Sequence, residues 1–271
     1  MARDFSRNAS NYASFGVAAI NPVLSGAAVV SVAGWVWADA INPATNDNRL
    51  FVVFINAGSS GVSLSLHDGT SAVLRVLARS APADALQTRN GTTALATGQW
   101  HHVGAEINFA AGTITPRVNG AAENGGSVAF GAASYTPGTP TSNDMMGASW
   151  GAGVPAEQLD GGLAEWGFWL RALSAGEWSA LARGASPRRL SARLHYPMLG
   201  SSGNVNEMVR GGPHATVVGT VGWRAHAPVS PPYGSDAAPV YAAATPPPPS
   251  GPGARSGLLG DPLSLSGFLG A

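Results

Sequence analysis

His101, Val103, Ala105, Ile107 and Phe109 fall on one side of a period-2 pattern, and His102, Gly104, Glu106 and Asn108 on the other. Such alternation predicts a strand with one buried face. Ala111-Gly112 offers a tight turn, Thr113 to Val118 alternates again, and Asn119-Gly120 supplies two residues that tolerate positive φ. Similar runs predict strands over 29–38, 50–56, 62–67, 72–79, 127–130, 144–149 and 158–170, with closing strands over 193–199 and 215–223. One helix is expected over 175–183. Ser174 and Glu177 form a capping box, Trp178 and Leu181 share a face, and Gly184 ends it. Many short strands between Gly- and Pro-rich turns predict an all-β sandwich. Residues 1–28 are small and polar and are expected to form an arm or an edge strand.

Three stretches carry a family resemblance. They are Gly98-Gln99-Trp100-His101-His102-Val103 followed by Arg117-Val118-Asn119-Gly120, Val30 to Ala38 with Trp35 and Trp37, and Leu159 to Trp169 running into Arg171-Ala172-Leu173-Ser174 and Glu177. In this order, over about 13–225, they resemble the laminin-G-like, concanavalin A-like lectin/glucanase jelly-roll family. The resemblance implies an antiparallel jelly-roll sandwich in a family that mostly binds ligands and in some branches does chemistry. The body is expected over 29–225.

Composition alters the picture beyond the body. The segment 226–256 gathers Pro228, Pro231, Pro232, Pro239 and the run Pro246 to Pro249, which cannot build a core. Residues 257–269 turn apolar again, so 226–271 reads as a Pro-rich tail with an apolar C-terminal anchor. Its expected partner-binding residues are Pro246, Pro247, Leu258, Leu259, Leu263, Phe268 and Leu269. Only 11% of the 271 residues are charged, against about 25% in an average soluble domain, which suits a chain packed against neighbours. Net charge is zero, and all fifteen basic residues are arginine, with no basic stripe, so nucleic acid is not the expected partner. No cysteine is present, which excludes disulfides and thiolate chemistry. No run approaches the ~18 apolar residues of a membrane helix, and no signal-peptide h-region follows Met1. The expected setting is therefore without Sec export and without a membrane.

Candidate chemistry is sparse. Retaining glycosidases need two carboxyls about 5–5.5 Å apart. Here Asp160 and Glu165 are five residues apart, on opposite faces of a regular strand, and Glu106 stands alone. No catalytic residue is expected. A calcium site would draw on Asx-rich loops, with Asp39, Asp47 and Asp160 as candidate ligands and Asn42, Asn46 and Asn48 beside them. The same residues serve as turn formers, and the family's acid after the glycine is replaced by Ala164. His101 and His102 point to opposite faces and cannot share an ion. Asn90-Gly91-Thr92 matches a glycosylation sequon and is read as a turn. Trp35 and Trp37 share a strand face that is either core or covered by another layer. Trp150, between Gly147 and Gly151, is expected on a loop as an exposed sugar platform, with Asn143 and Asp144 nearby.

The first functional reading is a non-catalytic structural or adhesive protein of a large assembly. On resemblance plus composition, it is a phage capsid decoration or minor virion protein, assembled in the host cytoplasm at high copy and fastened through its arms. The alternative is a lectin-like glycan-binding module for host or surface recognition. A glucanase-type hydrolase ranks third.

Overall fold

The computed structural model describes residues 1–6, 11–41, 47–53, 59–68, 72–151, 154–199, 203–209 and 211–229. In chain order the elements are β1 (Ala2–Phe5), β2 (Tyr12–Val17), α1 (Asn21–Leu24), β3 (Val29–Ala40), β4 (Asp47–Val53), β5 (Gly61–Asp68), β6 (Ala72–Arg79), β7 (Gln87–Asn90), β8 (Trp100–Asn108) and β9 (Thr113–Val118). There follow β10 (Ala121–Ala122), β11 (Gly126–Ser127), β12 (Asn143–Met146), β13 (Ser149–Gly151), β14 (Val154–Ala156), β15 (Asp160–Trp169), α2 (Ala175–Ala182), a 3-10 turn (Pro187–Leu190), β16 (Leu194–Tyr196), β17 (Thr216–Val218) and β18 (Gly222–Arg224).

Two antiparallel sheets form the predicted sandwich. Sheet I runs β10-β9-β8-β3-β15-β1-β18, with β11 on β9 and β16 on β15, and sheet II runs β17-β2-β12-β4-β5-β6-β7. A separate hairpin joins β13 to β14. Alternation decides which side chains meet between the sheets. Val30, Val32, Val36, Val103, Ala105 and Ile107 face Leu50, Val53, Val62, Leu64, Leu66, Leu74 and Val76 in one buried core. Each buried branched aliphatic side chain contributes roughly 1.5–3 kcal/mol. At the centre Trp166 lies across β3, where a Cβ on Gly34 would stand 2.4 Å from the indole. Any side chain at position 34 would therefore displace the largest ring of the core.

The N-terminal segment departs from expectation. It is neither an arm nor a single edge strand: β1 lies between β15 and β18, and β2 between β12 and β17. Phe5, Ala13, Phe15, Ile20 and Leu24 are core residues. A few large apolar groups anchor both strands, although the small polar residues between them hide the alternation. The other end shifts too. Residues 226–229, grouped with the tail by their proline content, lie on the outer face of sheet I, where Ala227 is buried with Ala2, Trp35 and Ala164. The tail residues Pro246, Pro247, Leu258, Leu259, Leu263, Phe268 and Leu269 lie outside the described residues.

The same outer face resolves the choice for Trp35. It is covered by a further layer and does not lie between the sheets. Next to it, α2 and the 3-10 turn bury Trp169, Trp178, Leu173, Leu181 and Ala192 against Ala33. The capping box forms as expected: the Glu177 N–H donates to Ser174 Oγ at 3.2 Å, and the Ser174 N–H donates to Glu177 Oε2 at 2.8 Å. Glycine at 104 lets the helix sit close, since a Cβ there would come within 2.8 Å of Trp178.

Candidate functional site

The outer face of sheet II carries a concentration of charged and hydroxyl side chains. In register, Arg49 opposes Ser65, Val52 opposes Ser63 and Asp47 opposes His67 across β4 and β5. On the next strand Arg75 opposes Ser65 and Leu77 opposes Ser63. Period-2 geometry puts these side chains on one face, while Val62, Leu64 and Leu66 alternate inward to the core.

The polar groups form one network. Arg49 Nε donates to Glu157 Oε2 at 2.6 Å, Nη1 to Ser63 Oγ at 2.8 Å and Nη2 to Asp47 Oδ2 at 3.4 Å. Asp47 also accepts from Ser65 Oγ at 2.8 Å and from Arg75 Nη1 at 3.2 Å. His67 Nδ1 stands 3.5 Å from Asp47 and 3.3 Å from Arg75 Nη1. Two guanidiniums and an imidazole thus converge on one carboxylate. Arg75 Nε is buried and has no hydrogen-bond partner among the described residues.

An apolar shelf adjoins this network. Tyr12, Val52, Met145 and Ala148 form a small buried cluster, with Trp150 and Val218 half-buried against it. Tyr12 and Val218 are paired across β2 and β17, and Met145 is paired with Val52 across β12 and β4. Gly147, at φ 79°, lets the chain leave sheet II after β12 and turn into the β13–β14 hairpin that carries Trp150. The return strand brings Glu157 back to Arg49, whose N–H donates to the Glu157 carbonyl at 2.8 Å. The hairpin therefore links the aromatic shelf to the guanidinium network. A half-buried indole beside fixed donors and acceptors suits a ring with one C–H face and a hydroxyl edge.

The sequence-derived candidates separate. Trp150 belongs to this face, but in β13 rather than a loop. Asn143 is half-buried at the start of β12. Asp144 is fully buried, and its carboxylate accepts the Ile20 N–H at 2.7 Å, so it braces α1 and presents nothing to a ligand. The three calcium candidates do not converge. Asp47 lies on sheet II in the arginine network, whereas Asp39 belongs to β3 and Asp160 to β15 in sheet I. Arg224 pairs with both Asp39 and Asp4 and stacks over Trp37 at 5.2 Å. Burial raises the Asp4 carboxyl above its ordinary range, partly offset by Arg224. Among the described residues no group of three or more His, Cys, Asp or Glu is placed to hold a metal ion. Asn42 and Asn46 lie outside them.

Glu165 departs from the regular strand assumed for it. The β15 register slips between Ala164 and Gly167, and Glu165 takes φ 53° at the bulge. Its carboxylate is buried 2.7 Å from His195 Nε2 and 3.5 Å from His226 Nε2. This ties β15 to β16 and to residues 226–229 rather than facing Asp160. His101 and His102 sit on opposite faces as expected: His101 Nε2 lies 3.0 Å from the Ala96 carbonyl, and His102 packs edge-on against Trp35. Complete burial pushes the His102 imidazole down to about 3.

Sequence reasoning missed Arg49, Ser63, Ser65, His67 and Arg75. The signal was present in Val62-Ser63-Leu64-Ser65-Leu66-His67, where each second residue is polar. It marked the strand, yet only pairing with β4 and β6 shows that two arginines share that face.

Residues 9–177, more than half of the chain, match the family model described as the concanavalin A-like lectin/glucanases superfamily. No curated protein sequence matches the chain. Among solved structures, a Bacteroides ovatus protein assigned to carbohydrate binding aligns with TM-score 0.62 and 19% identity over 84% of this chain. The chain spans 61% of that protein's length. The CBM40 of a Ruminococcus gnavus IT-sialidase, bound to α2,3 sialyllactose, aligns with TM-score 0.50 and 15% identity over 67% of this chain and 94% of the module. A leech intramolecular trans-sialidase also aligns with TM-score 0.50, at 15% identity, over 66% of this chain and 27% of the enzyme. At these identities the likeness is one of fold.

Proposed function

The chain belongs to the concanavalin A-like lectin/glucanases superfamily, and from that premise we propose that it is a non-catalytic glycan-binding module whose site is the outer face of sheet II. The observation that carries this reading is the join, through the β13–β14 hairpin, of the Trp150 shelf to the Arg49–Asp47–Arg75 network. A sugar ring rests its C–H face on Trp150, backed by Tyr12, and its hydroxyls meet Arg75, His67 and Glu157, the half-buried members of the network. The network is rigid before any ligand arrives, because each nitrogen of Arg49 already has a partner. Preorganisation lowers the ordering cost of binding. Asp47 and Glu157 are both held by Arg49, which fixes their positions on this face. The fold-level likeness to carbohydrate-binding proteins supports this reading and leaves the glycan to be found by experiment.

A glycan array probed with the full chain, with and without calcium, tests the proposal. Binding to a defined set of glycans, lost in Trp150→Ala and retained in Trp223→Ala, is the expected result. Absence of binding to any glycan in either condition would contradict it.

The virion reading addresses where such a module is carried. It rests on the 11% charged composition and on the Pro-rich segment. Gradient fractionation of the native source tests it: a high-copy band at particle density supports it, and recovery only in the soluble fraction contradicts it.

A further inference from the structure

Charge on this chain is unevenly placed. Residues 170–193 hold five of the fifteen arginines (Arg171, Arg183, Arg188, Arg189 and Arg193) against one acid, Glu177. That stretch therefore carries +4 in a chain of net charge zero. α2 and the 3-10 turn, which carry or flank Arg183, Arg188 and Arg189, pack together over sheet I. Arg171 Nη2 and Trp169 Nε1 both donate to the Leu190 carbonyl, at 3.2 and 2.9 Å, which brings β15 and the 3-10 turn together. Arg193 is held next to β15 by its N–H to the Phe168 carbonyl, at 2.6 Å. Arg171 is neutralised by Glu177, whose carboxyl the Arg171 hydrogen bond holds down at about 2. Arg183, Arg188 and Arg189 are exposed, and Arg193 is half-buried. Between Arg171 and Arg193 lies a shallow cleft of about 220 Å³, with Trp169, Leu170, Ser191 and Ala192 as its remaining walls.

We infer that this surface is a second binding site, separate from sheet II, for an acidic polysaccharide bearing carboxylate or sulfate groups. Arginine forks match both anions in a bidentate geometry that ammonium groups cannot offer. The cleft wall Leu170 is apolar and exposed and suits the C–H surface of a sugar. Nucleic acid fits less well, because the two tryptophans of this region, Trp169 and Trp178, are 1% and 0% exposed and present no ring on which bases can stack. The inference stands on charge and topology and does not depend on the sheet II proposal.

The test measures affinity of the full chain for polygalacturonate and dextran sulfate, with neutral dextran and a DNA duplex as comparators. The expected result is binding to at least one of the two acidic polysaccharides, with none to dextran and affinity falling about tenfold or more between roughly 50 and 200 mM salt. An Arg188→Ser/Arg189→Ser/Arg193→Ser variant is expected to lose about tenfold or more while remaining folded. Arg183→Glu, on the exposed end of α2, gives a second reading that leaves the 3-10 turn intact, and it too should weaken binding. Trp150→Ala should leave binding unchanged, which separates this site from the sheet II face. Failure to bind either acidic polysaccharide at low salt, affinity unchanged from the parent chain in both arginine variants, or tighter binding to the duplex would overturn the inference.

Discussion

The two outer faces of the sandwich are built from the same strand periodicity and end in opposite states. On sheet I the outward residues include Trp35 and Trp169, and a third layer of α2, the 3-10 turn and residues 226–229 closes over them. On sheet II the outward residues are Arg49, Ser63, Ser65, His67 and Arg75, bounded by the shelf that holds Trp150. Apolar outward positions recruit a cover, because leaving two indoles in water forfeits several kcal/mol of burial. Polar outward positions recruit one another, because half-buried charges need partners. Tryptophan count alone therefore says little about sugar binding; what matters is which face has been covered.

The strongest way to break this comparison is to remove the cover of sheet I. Trp178 is fully buried between α2 and β8. Trp178→Ala should cost about 3–5 kcal/mol, seen as a lowered denaturant midpoint. A loss below about 1 kcal/mol would mean that the outer layer is loosely attached. On sheet II the matching test is Arg49→Ala, which leaves Glu157 without its guanidinium and Asp47 with one fewer. Its expected cost is about 3 kcal/mol, and binding should fall with it.

Acid distinguishes the faces more finely. His102 lies under the sheet I cover, and its imidazole is pushed from 6.5 to about 3 by burial. The unfolded chain binds this proton near 6.5 and the folded chain refuses it. Stability should therefore fall as pH drops from about 6.5 towards about 3, by up to ~1.4 kcal/mol per pH unit from this one group. Equilibrium unfolding across that range should show a shallower slope in His102→Gln than in the parent chain. The smallest effect is at the helix cap: Ser174→Ala removes the acceptor for the Glu177 N–H and should cost about 1 kcal/mol in the same assay, without altering glycan binding.

Much of both sheets was legible in the chain, because many of their strands alternate cleanly and the β8–β9 region carries Ala-Gly and Asn-Gly turn signals. The spans 72–79 and 113–118 match β6 and β9 in full. β1 and β2 were not legible, since four residues with Phe5 alone, or six with Tyr12 and Phe15 on opposite faces, give no period to count. The bulge at Glu165 was hidden for a different reason. Leu163-Ala164-Glu165-Trp166-Gly167 reads as a regular strand, and only contact with His195 and His226 reveals the slip. For the site, Trp150 could be singled out from its glycine neighbours. The arginines could not, because their meeting at Asp47 depends on the register of three strands.

Sheet II holds neutral glycans on the Trp150 face, separately from the arginine-rich cover of sheet I. Titration calorimetry with the strongest uncharged glycan from the array, on the parent chain, Trp150→Ala and Trp37→Ala, tests this directly. Binding abolished in Trp150→Ala and unchanged in Trp37→Ala is the predicted result. Binding that survives in Trp150→Ala, or that disappears in Trp37→Ala, would contradict the account and move the site to sheet I.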